Sequence, residues 1–169
     1  MKKVIIVSGH PVEHPSKSNE AIIKRLHQLL PNSDFDILGP LYPDYHFNVD
    51  SEQAKLAKAD VIILQFPVYW YSIPALLQKW IEETFTYGFA YGKQPGSLSN
   101  KTLLVSFTCG SDCSINTIDK IVFPLKSTAS YCHMNWGGAV YTKSIANQKA
   151  SDDAYDQHCN KIVQLVNQI

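Results

Sequence analysis

Three short stretches of this sequence carry side chains that could meet a ligand. Tyr69-Trp70-Tyr71, bracketed by Pro67 and Pro74, sets three large aromatic rings in a row. Such rings stack on flat aromatic ligands, and the N–H groups of Val68, Tyr69 and Trp70 are placed to meet ring heteroatoms. The plain alternative is that the rings plug the end of a sheet, and residue type alone leaves both readings open. The prolines favour a ligand, because they hold the loop's shape without filling a core. His10, Ser16, Ser18 and Asn19 gather polar donors just ahead of a helical pattern. The first N–H groups of a helix lack internal partners and its dipole favours an anion there, so this group suits a phosphate. A serine or asparagine at that place is also an ordinary N-cap. Thr108-Cys109-Gly110-Ser111 puts small residues where a backbone can approach a ligand closely. Cys109 also admits a nucleophilic thiol, but the sequence pairs no base with it.

The elements around these stretches follow from the apolar pattern. Residues 4–7 and 61–64 are uninterrupted β-branched and leucine runs, as expected of strands buried on both faces, and 101–107 reads the same way. Residues 34–38 alternate polar and apolar as a half-exposed second strand, and 134–141 reads as a fifth strand broken near Gly137 and Gly138. Helices are predicted over 18–30, 50–57, 115–125 and 151–166, the third interrupted near its end by Pro124. A further helix follows the aromatic loop, with Ser72 as N-cap, Pro74 inside the first turn, and Ile73, Leu76, Leu77, Trp80, Ile81, Thr84 and Phe85 on one face. The connections 39–50 and 86–100 are long, the second rich in exposed-type aromatics that cover something. Strands alternating with helices imply one α/β domain over 1–169, with a five-stranded parallel sheet between helices. In the order 2-1-3-4-5 the three ligand-bearing loops meet at one edge, with the switch point between strands one and three.

Composition excludes several function classes. At 169 residues, 45% hydrophobic and 18% charged, the chain suits one globular domain with a substantial core. A formal net charge of zero leaves no basic footprint for nucleic acid, and it disfavours a strongly acidic electron carrier. Cys109 and Cys113 lie four apart, but Cys132, Cys159, His133 and His158 do not complete a zinc spacing, so no metal is expected. No run approaches the ~20 apolar residues that span a bilayer. The N-terminus does not read as a signal peptide, so a reduced cytoplasmic protein is the expectation.

The stretch Gln65-Phe66-Pro67, Trp70-Tyr71, Pro74-Ala75, Leu77 and Trp80, with Tyr87-Gly88-Phe89-Ala90-Tyr91-Gly92 behind it, resembles the flavodoxin-like NAD(P)H:quinone oxidoreductase family. That family includes the flavoprotein partners of bacterial potassium efflux systems. The resemblance covers nearly the whole chain and implies a flavodoxin-like three-layer sandwich. It implies a bound flavin, FMN from the short chain length with FAD as the alternative, that takes hydride from NAD(P)H and passes electrons to a quinone-like acceptor. His10, Ser16, Ser18 and Asn19 match the family's phosphate end. Pro67, Val68, Tyr69 and Trp70 match its aromatic loop. Thr108, Cys109, Gly110 and Ser111 match its Thr-Thr-Gly-Gly stretch along the pyrimidine side, with Cys109 and Ser111 as departures. Trp70, Tyr71 and Tyr91 match substrate-pocket positions. A homodimer is implied, with the 86–100 loop reaching towards the partner's flavin. Residues 112–116 lack the Tyr and His that eukaryotic members use, so no proton donor is assigned. Two rival readings are a regulatory flavoprotein subunit of a potassium efflux channel, lying at the inner face of the membrane, and an FMN-dependent azo- or nitroreductase.

Overall fold

The computed structural model describes residues 2–14, 16–92, 95–145 and 151–169. Among these the chain forms five strands and six helices: β1 (Val4–Ser8), α1 (Lys17–Leu29), β2 (Asp34–Ile37), α2 (Leu38–Leu41), α3 (Val49–Lys58), β3 (Val61–Pro67), α4 (Ala75–Thr84), β4 (Thr102–Thr108), α5 (Ile115–Tyr131), β5 (Asn135–Thr142) and α6 (Asp152–Gln168). The strands pair in parallel in the order β2-β1-β3-β4-β5, as their alternation with helices requires. No described helix is long and apolar enough to cross a membrane.

Strands β1, β3 and β4 are buried along their whole length, which is why they read as continuous apolar runs. Their side chains feed two cores. On one face Ile5, Val7, Ile62, Leu64, Leu103 and Val105 pack with Leu56, Trp80 and Ile121 from α3, α4 and α5. On the other, Ile6, Ile63 and Leu104 pack with Ile22 and Leu26 of α1 and Cys159 and Ile162 of α6. Each fully buried aliphatic side chain contributes about 1.5–3 kcal/mol, so this double burial fixes the register that brings the strand ends level.

Several boundaries differ from the sequence reading, each for a local reason. Ser72 does not cap α4; that helix starts at Ala75, and Pro74 stands at its cap in an extended conformation (φ −60°, ψ 148°). Ile73, as the residue before a proline, is steered away from helix, and Ser72 is occupied in a turn with Tyr69. The connection after β2 contains the short helix α2, and α3 is capped by Asn48, whose side chain accepts from the Ser51 N–H. Helix α5 runs through Pro124 to Tyr131: burial of Ile118, Ile121, Leu125 and Ala129 outweighs one lost backbone bond. In β5 the glycines mark a bulge rather than a break. The register with β4 shifts between Leu103 and Leu104, opposite Gly137, where a Cβ would come within 2.7 Å of Thr102 Cγ2.

Candidate functional site

At the carboxyl end of β3 the chain makes a two-residue hairpin. Tyr69 and Ser72 exchange both N–H···O bonds at 3.0 Å, and the central residues Trp70 (φ 48°) and Tyr71 (φ 63°) are both left-handed. Such a turn normally takes Asn-Gly, because a side chain in that conformation costs about 1–2 kcal/mol. Two large aromatics hold it here, with Trp70 95% exposed and Tyr71 68% exposed, so no burial offsets the strain. Backbone strain of this kind clusters at ligand clamps and switch regions.

Beneath the hairpin lies a cleft of about 350 Å³ at the carboxyl edge of the sheet. Ser16, Lys17 and Ser18 line it from the loop after β1, Pro67, Val68 and Tyr69 from the loop after β3, and Thr108 and Gly110 from the end of β4. The three loops singled out in the sequence thus meet in one place. His14 and Ile145 also line the cleft, and His14 meets the Tyr69 ring edge-on at 6.3 Å. Burial, with Glu13 and Tyr45 nearby, raises the Tyr69 phenol above its usual range and keeps it neutral. A larger hollow of about 410 Å³, lined by Leu29, Pro31 and Val166 among others, lies at the opposite end of the strands, away from these loops.

The first turn of α1 forms the polar wall. Ser16 is the N-cap, and its hydroxyl accepts from the Asn19 N–H at 3.2 Å. Among the described residues the N–H groups of Lys17 and Ser18 take no protein partner, and Lys17 adds a cation on the cleft. Thr108 is wholly buried, yet its hydroxyl is unpartnered among the described residues. A buried hydroxyl left unpaired costs about 1–3 kcal/mol, and Thr108 is among the residues that line the cleft. Tyr42, Trp80 and Lys55 surround Glu52 on the other face of the sheet and take no part in the cleft.

Not every residue picked from the sequence lies in the cleft. His10 lines a separate hollow with Val12, Ile37 and Pro40, its Nε2 buried without a partner among the described residues and its pKa lowered by burial. The Asn19 side chain points inward: Nδ2 donates to Ser8 Oγ and Oδ1 accepts from Gln65 Nε2, both at 3.1 Å, and Asn19 does not line the cleft. The Ser18 hydroxyl is paired with Tyr155 at 2.7 Å. Val68 donates its N–H to Thr108 O and Tyr69 to Ser72 O, which leaves Trp70 as the one of the three with an unspent N–H among the described residues. Cys109 is 1% exposed and gives its N–H to Thr142 O; burial, then Cys113, pushes its thiol up to about 12. An un-ionised buried thiol is not a nucleophile. Ser111 stands exposed beside Cys113 (3.6 Å between Oγ and Sγ), and its carbonyl accepts from Ser144. Tyr91 sits between Tyr87 (5.9 Å) and Tyr131 (5.3 Å), outside the cleft lining. His14 and Lys17 escaped the sequence reading, although a cation beside a suspected phosphate loop was the signal that could have found Lys17.

Residues 2–166 match the family model described as the flavodoxin-like fold. The chain belongs to the flavodoxin-like fold family. The order β2-β1-β3-β4-β5 and ligand loops at a switch point between β1 and β3 are what that fold requires. Among solved structures, the chain is similar to the NADPH-quinone reductase of P. pentosaceus, at 27% identity and a TM-score of 0.79 over 97% of this chain and 96% of that one. It is also similar to the general stress protein 14 of Treponema denticola, solved in complex with FMN, at 23% identity and 0.85 over 96% and 99%. The azoreductase of Bacillus anthracis is a more distant likeness, at 15% identity and 0.67 over 100% of both chains. Neighbours named as quinone reductases bear out the resemblance to the flavodoxin-like NAD(P)H:quinone oxidoreductases.

Proposed function

We propose that this protein is a flavin-dependent NAD(P)H oxidoreductase that holds FMN, with FAD as the alternative, and reduces a quinone-like acceptor. The observation that carries the reading is the cleft itself, where the first turn of α1, an aromatic strand end and Thr108, whose hydroxyl is unpartnered among the described residues, line one volume. Those groups fit the phosphate, the ring and the pyrimidine edge of a flavin mononucleotide in turn. The FMN complex of the Treponema protein and the name of the P. pentosaceus protein support it.

In this reading Ser16, Lys17 and Ser18 hold the phosphate, through the free N–H groups of the first turn and the Lys17 ammonium. Tyr69 flanks the ring, Thr108 and Gly110 bond its polar edge, and the Trp70 N–H adds a donor. Asn19 and Cys109 act from behind the cleft rather than on the ligand. When bound, a flavin supplies hydride acceptance and onward electron transfer, chemistry that no side chain of the cleft provides. Trp70 and Tyr71, exposed above it, offer apolar faces over which a flat substrate stacks and is shielded from water. The same exposed rings, with Tyr87 and Tyr131, suit the partner surface of a homodimer.

The visible spectrum of the purified protein incubated with FMN tests this. Bound flavin absorption that NADPH or NADH bleaches and a quinone restores is the expected result. A protein that takes up neither FMN nor FAD would refute it.

A further inference from the structure

Polar residues cross the buried sheet directly under the cleft. Ser8, Gln65 and Ser106 are neighbours in register on β1, β3 and β4, and all three are fully buried. They face α1 and α6, where their alternate neighbours Ile6, Ile63 and Leu104 build an otherwise apolar core. Three further side chains, Thr142, His158 and Asn19, join them into one hydrogen-bonded chain of six. Thr142 Oγ1 meets His158 Nδ1 at 2.9 Å, and His158 Nε2 meets Ser106 Oγ at 2.7 Å. The Ser106 hydroxyl donates to Gln65 Oε1, Gln65 Nε2 donates to Asn19 Oδ1, and Asn19 Nδ2 donates to Ser8 Oγ.

The donors all run one way. Because Ser106 spends its proton on Gln65, it must accept from His158, so the imidazole carries its proton on Nε2 and accepts from Thr142 on Nδ1. Burial drives the His158 pKa down to about 4, which keeps the ring neutral at pH 7 as this arrangement needs. Before it ends on Ser8, the chain passes through Asn19, in the first turn of α1, whose backbone N–H is already fixed by Ser16. Helix α6 grips the same turn a second time through Tyr155 and Ser18.

We propose that His158 and Ser106 are positioning residues for the phosphate end of the ligand: through Gln65 and Asn19 they hold the first turn of α1 with its free N–H groups facing the cleft. Neither residue lines the cleft. The proposal rests on the flavin reading for the ligand, and it assigns phosphate recognition partly to a helix, α6, at the far side of α1. Ser106→Ala orphans Gln65 Oε1 and the His158 N–H, so Gln65 no longer has one preferred orientation and Asn19 loses its anchor.

FMN and riboflavin, which differ only in the phosphate, separate this role from general packing. The experiment is a fluorescence titration of wild type, Ser106→Ala, His158→Leu and His158→Gln with each flavin, alongside their melting temperatures. Ser106→Ala and His158→Leu are expected to weaken FMN about tenfold and riboflavin less than about twofold. His158→Gln, whose amide reaches Ser106 with an N–H, restores FMN affinity. An equal fall for both flavins, or unchanged FMN affinity in both variants, overturns the proposal while leaving the flavin reading intact. If Ser106→Ala does not fold, the two His158 variants carry the comparison. If wild type binds neither flavin, the flavin reading fails instead, and inorganic phosphate becomes the probe. A phosphate-dependent rise in wild-type melting temperature that His158→Leu abolishes sustains the positioning role, and no such rise overturns it.

Discussion

The two faces of this sheet bury polar groups in opposite ways. On the α1/α6 face the groups under the cleft are neutral and paired end to end, from Thr142 through His158 and Gln65 to Ser8. On the α3/α4 face they are ionisable. Glu52 is wholly buried and accepts from Tyr42, Lys55 and Trp80 at 2.7, 2.6 and 2.8 Å, and Lys55 also reaches Asp36 at 2.8 Å. One lysine serves two buried carboxylates, and Asp36 Oδ2 takes no partner among the described residues. Burial, then the Glu52 carboxylate beside it, pushes the Asp36 pKa up to about 7. A neutral network orients groups without a charge to desolvate, so it can sit beneath a ligand. The charged cluster ties α3 and α4 to β2 and makes that tie depend on pH.

The largest effect should come from breaking the charged face. Glu52→Ala strands the Trp80 N–H and the Tyr42 hydroxyl and leaves Lys55 with Asp36 alone, and a loss of about 3–5 kcal/mol is expected in a denaturant melt. A loss below about 1 kcal/mol would mean the cluster is solvated and the contrast between faces is wrong.

The pH response should differ in sign between the faces. Asp36 binds its proton more tightly folded than unfolded. Its contribution is therefore complete below about pH 4 and lost as pH rises through about 7. His158 is depressed to about 4, so its contribution is present above the unfolded value near 6.5 and is lost as pH falls towards 4. Melting temperatures from acid to mild alkali should show Asp36→Asn removing a fall as pH rises from about 4 to about 7, and His158→Gln removing a fall as pH drops from about 6.5 towards 4. Identical pH profiles for both variants would contradict the assignment.

Much of this arrangement was legible in advance, and the failures share a cause. The runs of β1, β3 and β4 announce themselves because both faces are buried, and the loops at their ends follow from the order of the sheet. The Asn19 amide turns to Gln65 and Ser8, partners that only the folded register brings close. Glu52 looks like a solvent-facing residue on a short helix, and its burial depends on Trp80 in another helix. Pro124 reads as an interruption near the end of a helix, and buried contacts carry that helix on to Tyr131. Local pattern reported the strand ends well and said nothing about which polar atoms pair across them.

The hairpin above the cleft offers a smaller and opposite effect. Trp70→Asn with Tyr71→Gly relieves two left-handed aromatics and should stabilise the fold by about 1–2 kcal/mol, while raising KM for the acceptor several-fold in a steady-state assay. A double variant that is less stable, or kinetically unchanged, would remove the hairpin from the functional account. Smallest of all is Cys109→Ala. Its buried, un-ionised thiol should leave turnover within about twofold of wild type, and abolished turnover would restore the nucleophile.

The most direct measurement is a crystal structure of the protein grown with FMN. Electron density for the phosphate at the first turn of α1, beside Lys17 and Ser18, with the ring running past Tyr69 to Thr108 and Gly110, is the result this account predicts. Density for FMN in the hollow beside Leu29 and Val166, or an empty cleft at saturating FMN, would contradict it.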